Sequence, residues 1–108
     1  MANLTVQTIS QAGVSPSLAA AAAGGDEFTN GGRTYFHVNN AGASPVTVTI
    51  DSVRACDQGA DHNLTVSVPN AEERLIGPFD PRRFNNTSGR VAATYSAVTS
   101  VTVGAFAI

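Results

Sequence analysis

Val46-Thr47-Val48-Thr49-Ile50-Asp51 decides the fold class. Its apolar residues recur at every second position, the period of a strand with one buried and one wet face. Working outward, Arg33-Thr34-Tyr35-Phe36-His37-Val38-Asn39 alternates as well. Phe36 and Val38 fall on one face; Tyr35 and His37 fall on the wetter one. Between the two runs lies Asn40-Ala41-Gly42-Ala43-Ser44-Pro45, rich in turn formers. The spacing predicts an antiparallel hairpin closed by that longer loop.

The same alternation marks Leu4–Ile9, Leu64–Val68, Arg90–Tyr95 and Ser100–Ile108. In the last of these, Val101, Val103, Ala105 and Ala107 share one face, and Gly104, Phe106 and Ile108 the other. Glu73–Gly77 is a shorter strand, and Pro69 ends the one before it, since proline cannot donate to a ladder. Asp26–Thr29 follows Gly24-Gly25 as a short edge strand, and Asn30-Gly31-Gly32 turns the chain after it. Ser10–Ser17 is a loop by its Gly, Pro and Ser content. Ala19–Ala23 is too short for a helix that stands alone, so it is expected as extended or weakly ordered chain lying on a surface. About eight short strands separated by turn signals predict an all-β fold. We expect a single antiparallel β-sandwich, jelly-roll or immunoglobulin-like, or a small barrel. One domain covers residues 1–108, with an extended N-terminal region in which residues 1–25 are a candidate contact arm.

Composition agrees. The 108 residues include 12 Val, 11 Thr and 4 Ile but only 4 Leu, and β-branched side chains suit a pleated, half-buried surface. Charged residues make up only 13%, with a net charge of −2. A free monomer ordinarily keeps a more heavily charged surface, so this one is expected to be shared with a partner. All 6 basic residues are arginine. Without lysine there is no phosphate-binding loop of the Walker type, and the acidic total gives no global field for nucleic acid. No apolar run approaches a membrane span. The single cysteine forms no internal disulfide, so packing must hold the fold.

Site motifs are sparse. Gly24-Gly25-Asp26-Glu27-Phe28 spells the signature loop of diguanylate cyclases, but that chemistry needs a larger α/β domain, and an alanine run stands where an apolar strand should precede the loop. It reads instead as a Gly-Gly turn into a strand. Serines with His37, His62, Asp51 and Asp57 could be assembled into a triad, yet nothing orders them. Cys56, Asp57, Asp61 and His62 are metal-ligand types without a second paired motif, and Asp57, Gly59 and Asp61 are too sparse for a calcium loop. No metal, no cofactor and no catalysis are expected. The Asn3, Asn63 and Asn86 sequons mean little where Met1-Ala2-Asn3 does not open a secretory leader. Arg82-Arg83 is the only basic pair, and Phe79 and Phe84 flank it. Two readings stand: the phenylalanines anchor the loop on the core, or the arginines and a ring form a protein contact.

Several strings together resemble small structural proteins of tailed bacteriophages. They are Asn3–Ile9, Ala22–Asp26, Gly32–Asn39, Ser67–Pro69, Arg74–Phe79 and Val91–Val103. The resemblance rests on strand and turn strings over most of the chain. It implies a virion structural protein, most commonly a capsid decoration (cement) protein that clamps neighbouring major capsid subunits. It implies the major capsid protein as partner, self-association as a dimer or trimer at a symmetry axis, and a place on the capsid surface after assembly in host cytoplasm. Neither nucleic acid nor membrane is expected as a partner. A head–tail joining or tail protein, or a sugar-binding sandwich module, are the alternatives. Candidate contact residues are Leu4, Val6, Ile9, Val14 and Leu18 of the N-terminal region, and Phe79, Arg82, Arg83 and Phe84 of the Phe79–Gly89 loop.

Overall fold

A computed structural model describes residues 1–53 and 63–108. The chain is a two-layer β-sandwich, 20 Å across its thin dimension. Its elements are β1 (Ala2–Leu4), β2 (Val6–Thr8), β3 (Ala19–Ala20), β4 (Asp26–Thr29), β5 (Thr34–Asn40), β6 (Val46–Ile50), β7 (Leu64–Val68), β8 (Glu72–Ile76), the one-turn helix α1 (Pro81–Phe84), β9 (Arg90–Tyr95) and β10 (Val101–Ala107). One sheet runs β1-β4-β9-β6-β7. The other runs β2-β10-β5-β8, with β3 beside β2 on the same edge of β10. Most pairings are antiparallel, but β1 joins β4 and β2 joins β10 in parallel.

The period-two residues supply the core as the pattern implies. Phe36 and Val38 of β5 are buried against Val46, Val48 and Ile50 of β6, with Phe28, Val68, Val91, Val101 and Val103 around them. Phe28 and Phe36, from opposite sheets, stack at 5.2 Å between centroids. That contact staples the layers at their centre, where offset aromatic pairs add to plain burial.

Three connections differ from the sequence expectation. β5 and β6 do not form a hairpin: β5 pairs with β10 and β8, while β6 pairs with β7 and β9. Residues 41–45 carry the chain from one sheet to the other, and the buried Asn40 organises that corner. Its amide donates to the Ser44, Val68 and Pro69 carbonyls, and its oxygen accepts from the Gly42 N–H. Alternation is identical for a strand that pairs with its successor and for one that faces it across a core, so the pattern could not distinguish them. Leu4–Ile9 is likewise two strands. The chain changes sheet at Thr5, so β1 edges one layer and β2 the other. Finally, Asp26–Thr29 is not an edge strand, because β1 covers its outer side. Ala19–Ala20 is extended and paired with β10, the first of the two alternatives for the alanine run.

Candidate interaction surface

The nine sequence-predicted contact residues fall into three groups. Phe79 and Phe84 are 1% and 6% exposed. As contact residues they are therefore a correction: their rings pack on each other at 5.4 Å, and Phe79 lies 5.7 Å from Phe28. Of the two readings of this loop, anchoring describes the phenylalanines. The local sequence explains why. Asp80 caps α1 by accepting from the Arg82 N–H at 3.0 Å, and Pro81 occupies the first helical turn, where its missing N–H costs nothing. The turn directs Phe84 inward and leaves Arg82 and Arg83 outside. A reciprocal amide pair then locks the loop to the β4–β5 turn. Asn30 donates to Asn85 Oδ1 at 2.8 Å and to the Phe79 carbonyl at 3.1 Å, while Asn85 donates back to the Asn30 carbonyl at 2.8 Å.

Leu4, Val6, Val14 and Leu18 form the second group, all half-buried. Leu4 and Val6 pack against the core from the sheet edges. The N-terminal residues are thus built into both sheets and are not a free arm. The Gln7 side chain grips Ser17 twice, donating to its carbonyl at 2.7 Å and accepting its N–H at 2.9 Å. This clasp seats Leu18 over Gly104. A β-carbon at Gly104 would lie 2.7 Å from the Leu18 side chain and 3.2 Å from the Ser17 carbonyl, so the close approach requires glycine. A cleft of about 420 Å³ opens beside the clasp, between Leu4, Gln7, Ser17 and Val103. Among the described residues, no aromatic side chain lines it.

Ile9, Arg82 and Arg83 make the third group, and the structure brings them to one pole of the sandwich. The Ile9 N–H donates to the Ala107 carbonyl, and Ala107 is paired with Thr34, next to Arg33. The Ile108 N–H donates to the Arg33 carbonyl. Gly32 packs beside Pro81, which places the Arg33 turn against α1. Exposed at this pole are Ile9, Ile108 at 76%, Arg33 and Arg82, whose side chain is 81% exposed. Arg83 lies over the Phe84 ring at 4.6 Å and has a further partner. Arg90, on the adjoining strand, is paired with Glu27 at 3.1 Å. Arg33, Ile9 and Ile108 are far apart in sequence, and only the β2–β10–β5 pairing makes them neighbours.

Of the remaining chemistry-bearing residues, His37 and Asp26 have structural partners. His37 bonds to Glu73 at 3.1 Å on the outer face of its sheet, as its alternation with Phe36 indicated. Asp26, the acid of the cyclase-like string, is buried; it accepts from the Tyr95 hydroxyl at 2.7 Å and from the Ala22 N–H at 3.1 Å. Burial first, then that hydrogen bond and the carboxylate's charge, push the Tyr95 phenol far above its ordinary range. Cys56, Asp57, Gly59, Asp61 and His62 lie outside the described residues. No protein-family profile, curated protein or solved structure matches the chain.

Proposed function

We propose that the chain is a virion structural protein of the capsid decoration kind, binding the outer surface of a phage head and bridging neighbouring major capsid subunits without catalysis. The observation that carries this reading is the pole just described. It combines exposed aliphatic residues with exposed arginines on a rigid, otherwise weakly charged sandwich. Arginine is enriched in protein contact surfaces, and their buried centres are apolar. Decoration suits it because many modest contacts repeated around a shell resist internal pressure through multivalency. Self-association as a dimer or trimer at a symmetry axis belongs to the same reading. Quantitative mass spectrometry of purified virions is the test. Decoration requires copy numbers comparable with the major shell subunit. A handful of copies per particle assigns the chain to the neck or tail instead, and its absence from virions overturns the reading.

A further inference from the structure

We infer that the arginine pole docks on an acidic protein surface, its arginines meeting carboxylates around a recess that takes Ile9 and Ile108. The inference rests on the proposed function only for where that surface is found.

The distribution of charge is the first argument. The chain has 6 basic residues, and four of them, Arg33, Arg82, Arg83 and Arg90, gather at or beside one pole. Two are already engaged close by: Arg90 by Glu27 at 3.1 Å, and Arg83 over the Phe84 ring. Among the described residues, Arg82 pairs with Asp80 at 3.6 Å, both side chains exposed, a pairing of little strength. Arg33 is exposed on a turn held against α1. Both are held on ordered backbone, Arg33 by the Asn30–Asn85 amide pair and Arg82 by the capped helix. Ordered backbone spares binding the cost of fixing a loop, and the planar guanidinium forks match a carboxylate or phosphate in two-point contact.

The choice between carboxylate and phosphate follows from what accompanies the arginines. Nucleic-acid strands are gripped by a basic groove with aromatic rings on which bases stack. Of the rings near this pole, Phe79 and Phe84 are buried and packed on each other, and the half-buried Tyr35 is already stacked on the buried Phe106 at 5.7 Å. What stands outside is aliphatic, Ile9 and Ile108. Aliphatic side chains gain nothing against a phosphate backbone, but they gain from an apolar recess in a protein. The chain's net charge of −2 also opposes a polyanion at long range.

The test uses the full chain, with Arg33→Glu/Arg82→Glu and Arg33→Gln/Arg82→Gln as variants whose thermal melts are first matched to wild type. Arg74→Glu is the control, since Arg74 lies on β8 and faces Glu72. Rebinding to particles stripped of the protein should weaken about tenfold or more for the Glu double variant and less for the Gln one. It should weaken with salt for wild type, and Arg74→Glu should match wild type in both affinity and salt dependence. Rebinding of the Glu double variant within about twofold of wild type overturns the inference while leaving the decoration reading intact. A second measurement holds even if wild type does not rebind. A glutamate-rich peptide titrated against labelled protein should shift the amide resonances of Arg33, Arg82 and Ile9. Shifts elsewhere, or tighter binding of single-stranded DNA at this pole, overturn it.

Discussion

Replacing Asn30 by Asp exchanges one amide for a carboxylate of the same shape, yet it should destabilise the protein more than any surface change. Asn30 is 4% exposed. Its Nδ2 donates to the Phe79 carbonyl at 3.1 Å and to Asn85 Oδ1 at 2.8 Å, and its Oδ1 accepts from the Gly32 N–H at 3.0 Å. An aspartate keeps only the last. It turns an anionic oxygen toward two other oxygens, one of them the carbonyl of a buried phenylalanine. Asn85 cannot repair this by rotating its amide, because its Nδ2 already donates to the Asn30 carbonyl. Two lost bonds at ~0.5–1.5 kcal/mol each and one orphaned buried acceptor at ~1–3 kcal/mol total about 4 kcal/mol. At roughly 4–8 °C per kcal/mol for a domain near this size, the melting temperature should fall by more than 10 °C, about. The loss should also depend on pH. Burial and the facing oxygens raise the folded-state pKa of the new carboxyl above its unfolded value. Protonation restores a donor, so the gap to wild type should narrow as pH falls through that raised value and widen as pH rises. Urea unfolding of wild type, Asn30→Asp and Asn30→Ala across pH 4–8 measures this directly. An Asn30→Asp protein within about 0.5 kcal/mol of wild type at pH 7, or one indifferent to pH, would refute the donor assignment on which the locked loop depends.

Gly104→Ala should lift Leu18 and Ser17 from β10, since the added methyl would sit 2.7 Å from the Leu18 side chain; faster amide exchange and proteolysis within residues 10–18, with β5 unaffected, is the expected result. Gln7→Ala removes both bonds to Ser17 and should loosen the same segment at a cost of about 1 kcal/mol, because both bonds are solvent-exposed. Stability should fall above about pH 10. There the unfolded Tyr95 phenol ionises while the folded one, raised by burial and by Asp26, does not, so the unfolded state binds fewer protons and gains. Tyr95→Phe should flatten that alkaline slope while costing about 1–3 kcal/mol at neutral pH, because the buried Asp26 loses its hydroxyl donor.

Much of the sandwich is legible in the sequence, because period two reports which residues face the core. Phe36, Val38, Val46, Val48 and Ile50 were identifiable as inward, and all are buried. The pattern carries no information on which strand lies beside which. Leu4–Ile9 reads as one unbroken strand although it serves both sheets, since the alternation continues through Thr5. The predicted hairpin fails for the same reason. A signal was present at that corner, Asn40 before Ala41-Gly42, but reading it required knowing that Val68 and Pro69 end nearby. The contact surface divides similarly. Arg82-Arg83 was conspicuous as the only basic pair. The flanking phenylalanines were ambiguous, because an aromatic beside a turn suits a core or an interface equally. Arg33 passed unmarked, for its place beside α1 and Ile108 is set by long-range pairing alone.

The interior polar groups sharpen what the exterior can be asked to do. Among the described residues, every buried side-chain nitrogen and oxygen has a hydrogen-bond partner. Asn40 spends its amide tying the 41–45 corner to the end of β7, Asn30 ties the β4–β5 turn to the α1 loop, and Asp26 ties Tyr95 to Ala22. Each joins segments distant in sequence at a site where an apolar residue would leave backbone groups unpaired. These side chains therefore work as fasteners. The distinction matters for Asp26 above all, because its sequence context imitates a catalytic loop while its geometry is that of a strut. A sandwich fastened in this way, with few charges to hold it in solution, presents Arg33 and Arg82 beside Ile9 and Ile108 at one pole, a mixed patch of the kind that the proposed attachment to a partner needs.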